Sequence, residues 1–164
     1  MKKNTAIILF VILFSLSACK KNTGAPSPTG SGNSFSAVIG GSNWKPGFTY
    51  AVDSANLIYI MGNIGNNTTD NYPAMFVGIP DTLSSGSIIH FNTNENTFLA
   101  YAETKSTMYM AIPGLPNSAG SLTVTKHDKT AKRIEGTFGG TLQNITRDGS
   151  SRNITNGQLA ITYK

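Results

Sequence analysis

The chain has 164 residues, enough for one domain of ordinary size with its own core. Charged residues make up only 13 % of it, so Asn, Thr, Ser and Gly must supply most of its surface, a composition that favours strands and turns over helices. The formal charge of +5 overstates the basicity of the domain. Lys2, Lys3, Lys20 and Lys21 all precede Ser34, and from there to Lys164 nine Lys/Arg stand against eight Asp/Glu. Such a near-neutral domain argues against a nucleic-acid partner, which needs a concentrated basic face, and the cluster Lys126, Lys129, Lys132 and Arg133 reads as a solvated hairpin end.

The first residues carry the clearest chemistry. Lys2 and Lys3 form a positive start, and Ala6 to Phe14 is an unbroken apolar run too short to span a bilayer, as in the core of a secretory signal. Leu16-Ser17-Ala18-Cys19 follows and resembles the lipobox of bacterial lipoproteins. The resemblance implies a signal peptide over 1–18, with Leu16, Ser17 and Ala18 recognised by the signal peptidase. It also implies lipidation of Cys19, whose thiol takes a diacylglyceryl group and whose amine, freed by cleavage, takes a further acyl chain. Stable anchoring needs at least two chains, a condition that a lipidated Cys19 meets. Cys19 is also the only cysteine, so no internal disulfide is available. The absence of Asp after Cys19 favours the outer membrane by lipoprotein sorting rules, while Lys20 and Lys21 depart from the acidic surface-export pattern and leave the leaflet open. Residues 19–33 read as lipidated Cys and flexible tether, with a reach of about 20 Å.

From Ser34 to Lys164 the pattern is that of an all-β domain. Phe35, Ala37 and Ile39 alternate with small or polar neighbours as in a half-buried strand, and Trp44 closes that unit. Strands are expected at Phe48 to Val52 and, after a turn at Asp53 to Asn56, at Leu57 to Ile64. The apolar run Leu57 to Met61 predicts a central strand covered on both faces. A polar loop leads to a strand from Ala74 to Ile79. Further strands are expected at Ser87 to Phe91, Thr97 to Glu103, Thr107 to Ile112, Ser121 to Lys126, Arg133 to Gln143 and Ile154 to Tyr163. No window carries a helical stripe. Nine or ten short strands predict an antiparallel β-sandwich, with a closed or partly open β-barrel as the alternative.

The opening segment from Phe35 to Trp44 ends in Gly-x-x-Trp. Arg133 to Gly140 contains Ile-x-Gly-x-Phe, and Ile154 to Tyr163 contains Thr-Asn-Gly. Together these resemble an uncharacterised family of Bacteroidetes lipoproteins. The resemblance implies a small β-sandwich and a cell-envelope location, and it implies no activity.

The search for reactive constellations yields no catalytic residues. His90 and His127 share no metal-ligand spacing, and no metal or cofactor is expected. There is no Gly-x-Ser-x-Gly elbow and no phosphate loop, and most of the eight carboxylates fall in turns. Trp44 and Tyr50 are candidate ligand-binding aromatics, although a lone aromatic usually packs and Trp44 reads first as a core or rim plug. Asp53-Ser54-Ala55 and Asp81-Thr82-Leu83 resemble Bacteroidetes O-glycosylation acceptors, making Ser54 and Thr82 candidate sites at turns. The sequons at Asn66, Asn67, Asn144 and Asn153 are expected to be unused in a bacterial protein. The expected function is a lipid-anchored binding or structural module of the envelope, with a glycan or protein ligand. The alternative is a small enzyme or ligand-enclosing barrel built around His90.

Overall fold

The computed structural model describes residues 32–65, 72–93 and 95–164. The signal-peptide residues Leu16, Ser17 and Ala18 and the lipidation candidate Cys19 lie outside the described residues, as does the sequon at Asn66 and Asn67.

Eleven strands are present among the described residues, and no helix. They are β1 (Ser34–Ile39), β2 (Ser42–Trp44), β3 (Phe48–Ser54), β4 (Leu57–Asn63), β5 (Ala74–Pro80), β6 (Ile88–His90), β7 (Phe98–Ala102), β8 (Met108–Ala111), β9 (Ala119–Asp128), β10 (Arg133–Asn144) and β11 (Ser151–Thr162). The all-β, antiparallel expectation holds. The architecture is closer to the partly open barrel than to two stacked sheets: one hydrogen-bonded path runs β2-β1-β11-β10-β8-β7-β5-β4-β3, curled around a common core.

The curl follows from the length of β10, which has two neighbours on one side. Its residues Arg133 to Thr141 pair with β9, and Gln143 and Asn144 pair with β8. β9 in turn carries the short β6. Register shifts between Ser36 and Val38 and between Phe138 and Gly140 mark bulges, which increase local twist. The far edge comes back to the chain end. Asp53 N–H donates to the Lys164 carbonyl at 2.9 Å, and Lys164 N–H to the Ala51 carbonyl at 3.3 Å. These two bonds protect part of an otherwise open strand edge.

Tight turns set the hairpin registers. Ala55 and Asn56, both at positive φ, join β3 to β4, so Asp53 and Ser54 extend the strand into what the sequence reading took as turn. The inward positions Phe35, Ile58, Ile60, Met75, Val77, Ile79, Leu99, Leu122, Ile134 and Leu159 pack into one cluster that fills the interior. Trp44 belongs to it, 4 % exposed and edge-on to Phe35 at 5.3 Å between ring centroids. Its ring is part of the core, as a packing aromatic would be.

The expectation that β4 is central is met, since it lies between β3 and β5. Its two faces are not equally covered. Ile58 and Ile60 are buried, whereas Leu57, Tyr59 and Met61 point outward and stay partly exposed, with no second layer over them among the described residues.

The turn from β10 to β11 is held by side chains. Asn144, almost fully buried, donates from Nδ2 to Asp148 Oδ2 at 3.0 Å and to Ser150 Oγ at 3.2 Å. Ser150 donates from its hydroxyl and its N–H to Asp148 Oδ1, at 2.6 and 2.8 Å. The Ser150 hydroxyl first, and then its N–H, favour the carboxylate form and hold the Asp148 pKa below its ordinary value. A carboxyl depressed in the folded state stabilises it above the ordinary Asp range and loses that contribution as pH falls through the lowered value. Ser150→Ala is expected to move the Asp148 titration back up toward that of a free Asp in a carboxyl-carbon NMR titration. An unchanged titration would show that the hydroxyl is not what holds the carboxylate.

Candidate binding surface

The two histidines lie apart in role. His127, on β9, is fully engaged. Its Nδ1 lies 2.8 Å from the Leu83 carbonyl, and its Nε2 lies 2.8 Å from the Tyr163 hydroxyl. A carbonyl only accepts, so Nδ1 carries the proton in the neutral ring and Nε2 accepts from Tyr163. Burial, followed by the charges of Asp53, Asp81 and Asp128, raises the Tyr163 pKa and keeps that hydroxyl protonated. The clamp ties the β5–β6 connection to the chain end. Neither nitrogen is left for a substrate.

A second polar group closes the interior near Tyr101 and Tyr109. Arg152 forms a forked pair with Glu103 at 2.9 and 2.7 Å, and its guanidinium lies 4.5 Å above the Tyr109 ring. Its bond to Glu103 is the main cause of a raised Arg152 pKa. Burial, then the Glu103 charge, raises that of Tyr101. Each member satisfies another, as in a structural plug. Among the described residues, no group of three or more His, Asp, Glu or Cys side chains is placed to hold a metal ion.

The open polar surface lies elsewhere, across β6, β9, β10 and β11. Two adjoining depressions of about 410 and 510 Å³ share Ser121 and Gly139. Cross-strand register builds their walls. Thr137 stands between Thr123 of β9 and Gln158 of β11, and Thr141 between Ala119 and Asn153. Asn156 flanks one depression, and His90 and Asn92 flank the other. The floor is bare because the bulge brings backbones together. A Cβ at Gly139 would lie 2.9 Å from the Ile154 carbonyl oxygen, and one at Gly157 would lie 2.6 Å from the Phe138 ring. Glycine is the residue that such a close approach allows.

The wall side chains are hydroxyls, amides and one imidazole. Ser121, Thr123, Thr137, Thr141, Asn153 and Gln158 make no side-chain hydrogen bond among the described residues, in contrast to the paired groups around His127, Arg152 and Asn144. The sequence reading missed these six residues. A signal was present in β10, where Thr137 and Thr141 alternate outward around a glycine pair, but only the pairing with β9 and β11 assembles the trough.

The candidate residues fall into different places. Trp44 is buried. Tyr50 is 41 % exposed on the outer face of β3, outside the trough. Ser54, at the last strand position before the Ala55-Asn56 turn, and Thr82, in the turn after β5, are both exposed. His90 is exposed on the rim of the trough. Comparison with known proteins gives no match to a family model, to a curated protein or to a solved structure.

Proposed function

We propose that this chain is a lipoprotein of the cell envelope, anchored through acyl chains on Cys19, whose β domain is a non-catalytic binding module for an uncharged, hydroxyl-rich ligand of the glycan type. The observation that carries the ligand class is the trough, an open surface with a glycine floor and unpaired neutral donors and acceptors. A sugar hydroxyl both donates and accepts, and Thr, Ser, Asn and Gln side chains answer both roles without the desolvation of a charge. The filled interior supports a surface site over an enclosed one. The lipobox spacing supports the anchor, and the closing-strand motifs support its place among Bacteroidetes-type lipoproteins.

Two measurements test the two halves. The intact lipoprotein in detergent is screened on a glycan array, and Thr137→Val combined with Gln158→Ala is compared with it. Each lost hydrogen bond is worth about 1 kcal/mol, so the pair should weaken binding roughly tenfold or more. Glycan binding untouched by the double variant removes the trough from the proposal. For the anchor, Cys19→Ser should abolish the acyl mass at the N-terminus and the normal processing. A variant that is processed and retained at the membrane like the parent refutes lipidation.

A further inference from the structure

An antiparallel sheet that covers a core with one face turns polar side chains outward on the other. The β9–β10–β11 half obeys this rule, and the half made of β3, β4, β5, β7 and β8 does not. Cross-strand register sets its outward rows: Tyr50, Met61, Phe76, Ala100 and Met110 in one, and Val52, Tyr59, Gly78 and Phe98 in the next. On all outward positions of these strands, Ser54, Asn63 and the hydroxyls of Tyr50 and Tyr59 are the only polar side-chain groups, and none is charged. Tyr50 and Tyr59 project furthest, 41 % and 37 % exposed, and Tyr59 leans on Phe98 at 6.2 Å between centroids.

Ala74, Gly78, Ala100 and Ala102 on these strands are buried, so the accessible part of the face centres on Tyr50, Tyr59, Met61 and Phe98, and an exposed apolar patch of this kind marks an interaction surface. Because the sheet curls around its core, the face is convex. Two rigid convex faces touch over a small area, so a second copy of this chain is a poor cover. A fluid lipid layer conforms to a convex surface, and tyrosines are suited to its interface, with an apolar ring and a polar tip. The first described residues lie near the edge of this face. Thr162 N–H donates to the Asn33 side chain at 2.9 Å, and two residues on Lys164 bonds Ala51 and Asp53 of β3, while Arg133 of β10 donates to the Gly32 carbonyl at 3.5 Å, so Gly32 and Asn33 sit where the end of β11 meets both halves of the curl.

We propose that the outward face of β3, β4, β5, β7 and β8 lies in the headgroup–acyl boundary of a lipid bilayer and seats the domain against the membrane, with the trough on the other half of the curl left open to its ligand. The Cys19 reading explains how the domain is kept near lipid. The affinity of the face for lipid is its own.

Cys19 is the only cysteine, and acylation blocks its thiol, so Tyr59→Cys offers one thiol for a fluorescent label. The lipoprotein is reconstituted in phosphatidylethanolamine–phosphatidylglycerol vesicles with nitroxide-bearing lipid. The label at Tyr59→Cys should be quenched several-fold more by the lipid nitroxide than a label at Thr125→Cys, which is exposed on β9, and aqueous iodide should give the opposite order. Equal iodide quenching at the two positions overturns the proposal. Shielding of the Tyr59→Cys label from both quenchers also overturns it, and assigns the face to a protein partner or a second copy. Tyr50→Cys repeats the measurement where Tyr59→Cys fails to fold. The mass of the purified chain reports acylation separately. If Cys19 is unmodified, the anchor reading fails, and the face is tested with labelled chains carrying Cys19→Ser added to preformed vesicles.

Discussion

Gly140→Ala is expected to destabilise the fold by at least ~3 kcal/mol, a large fraction of the stability of a domain of this size. A Cβ at this position would overlap the Ala119 carbonyl oxygen and would lie 2.5 Å from the Gly120 Cα. Both are backbone atoms of β9, held by the ladder that pairs Gly140 with Gly120 and Thr141 with Ala119. No rotamer change relieves the overlap, so β9 and β10 must separate at the point where β10 passes from β9 to β8. The trough loses its floor at the same step. Gly114→Ala is the matched control. Gly114 has a φ of +77° and open space around it, so the substitution meets only the left-handed backbone penalty, about 1 kcal/mol. Gly140 itself has a φ of +156°, so the crowding is read as the loss that Gly140→Ala shows in urea denaturation beyond that of Gly114→Ala. Equal losses in both would mean that β9 yields without strain and that the bulge is not tightly packed.

The strands were legible in the sequence because their signals are local. Alternation at Phe35, Ala37 and Ile39 reports one buried face, and the apolar run from Leu57 to Met61 correctly marks a central strand. The same run predicts two covered faces, and there local reading reached its limit. Apolar residues at adjacent positions show that both faces avoid water, but not whether another part of the protein or something outside it covers the second one. The choice between sandwich and barrel was equally out of reach. It depends on β10 exchanging one partner for another along its length and on Lys164 meeting β3, contacts between residues far apart in the chain.

The candidate site was less legible than the fold. Trp44, which the sequence reads first as a core or rim plug, packs edge-on against Phe35 within the core. The sequence offered no partner for His127, and only the folded chain brings Leu83 and Tyr163 to its two ring nitrogens. The trough residues are Thr, Ser, Asn and Gln, which are common on any strand surface. Their meaning comes from three strands in register over glycines, an arrangement that no single segment encodes.

Phe91→Ala is expected to be the most damaging truncation for the trough rim, with a loss of about 3–5 kcal/mol for a fully buried phenylalanine. Phe91 has no exposed surface and directly follows β6. Its ring packs over Gly120, where an added Cβ would come within 3.2 Å of it, and its N–H donates to the Gly120 carbonyl at 2.9 Å. β6 has only three residues, each paired with β9 and with no other strand. So short a strand is held by the side chains beneath it, here Ile89 and Phe91, more than by its ladder. Removing the ring should release β6 before the rest of the sheet, and His90 and Asn92 leave the rim with it. Hydrogen exchange at residues 88–91 should then accelerate beyond the global loss of stability, and ligand affinity at the trough should fall with it. Phe91→Leu keeps most of the volume and should cost less than half as much. If Phe91→Ala unfolds at the same urea concentration as the parent, or if exchange rises uniformly over all strands, β6 is not an independently released element and the rim does not depend on this ring.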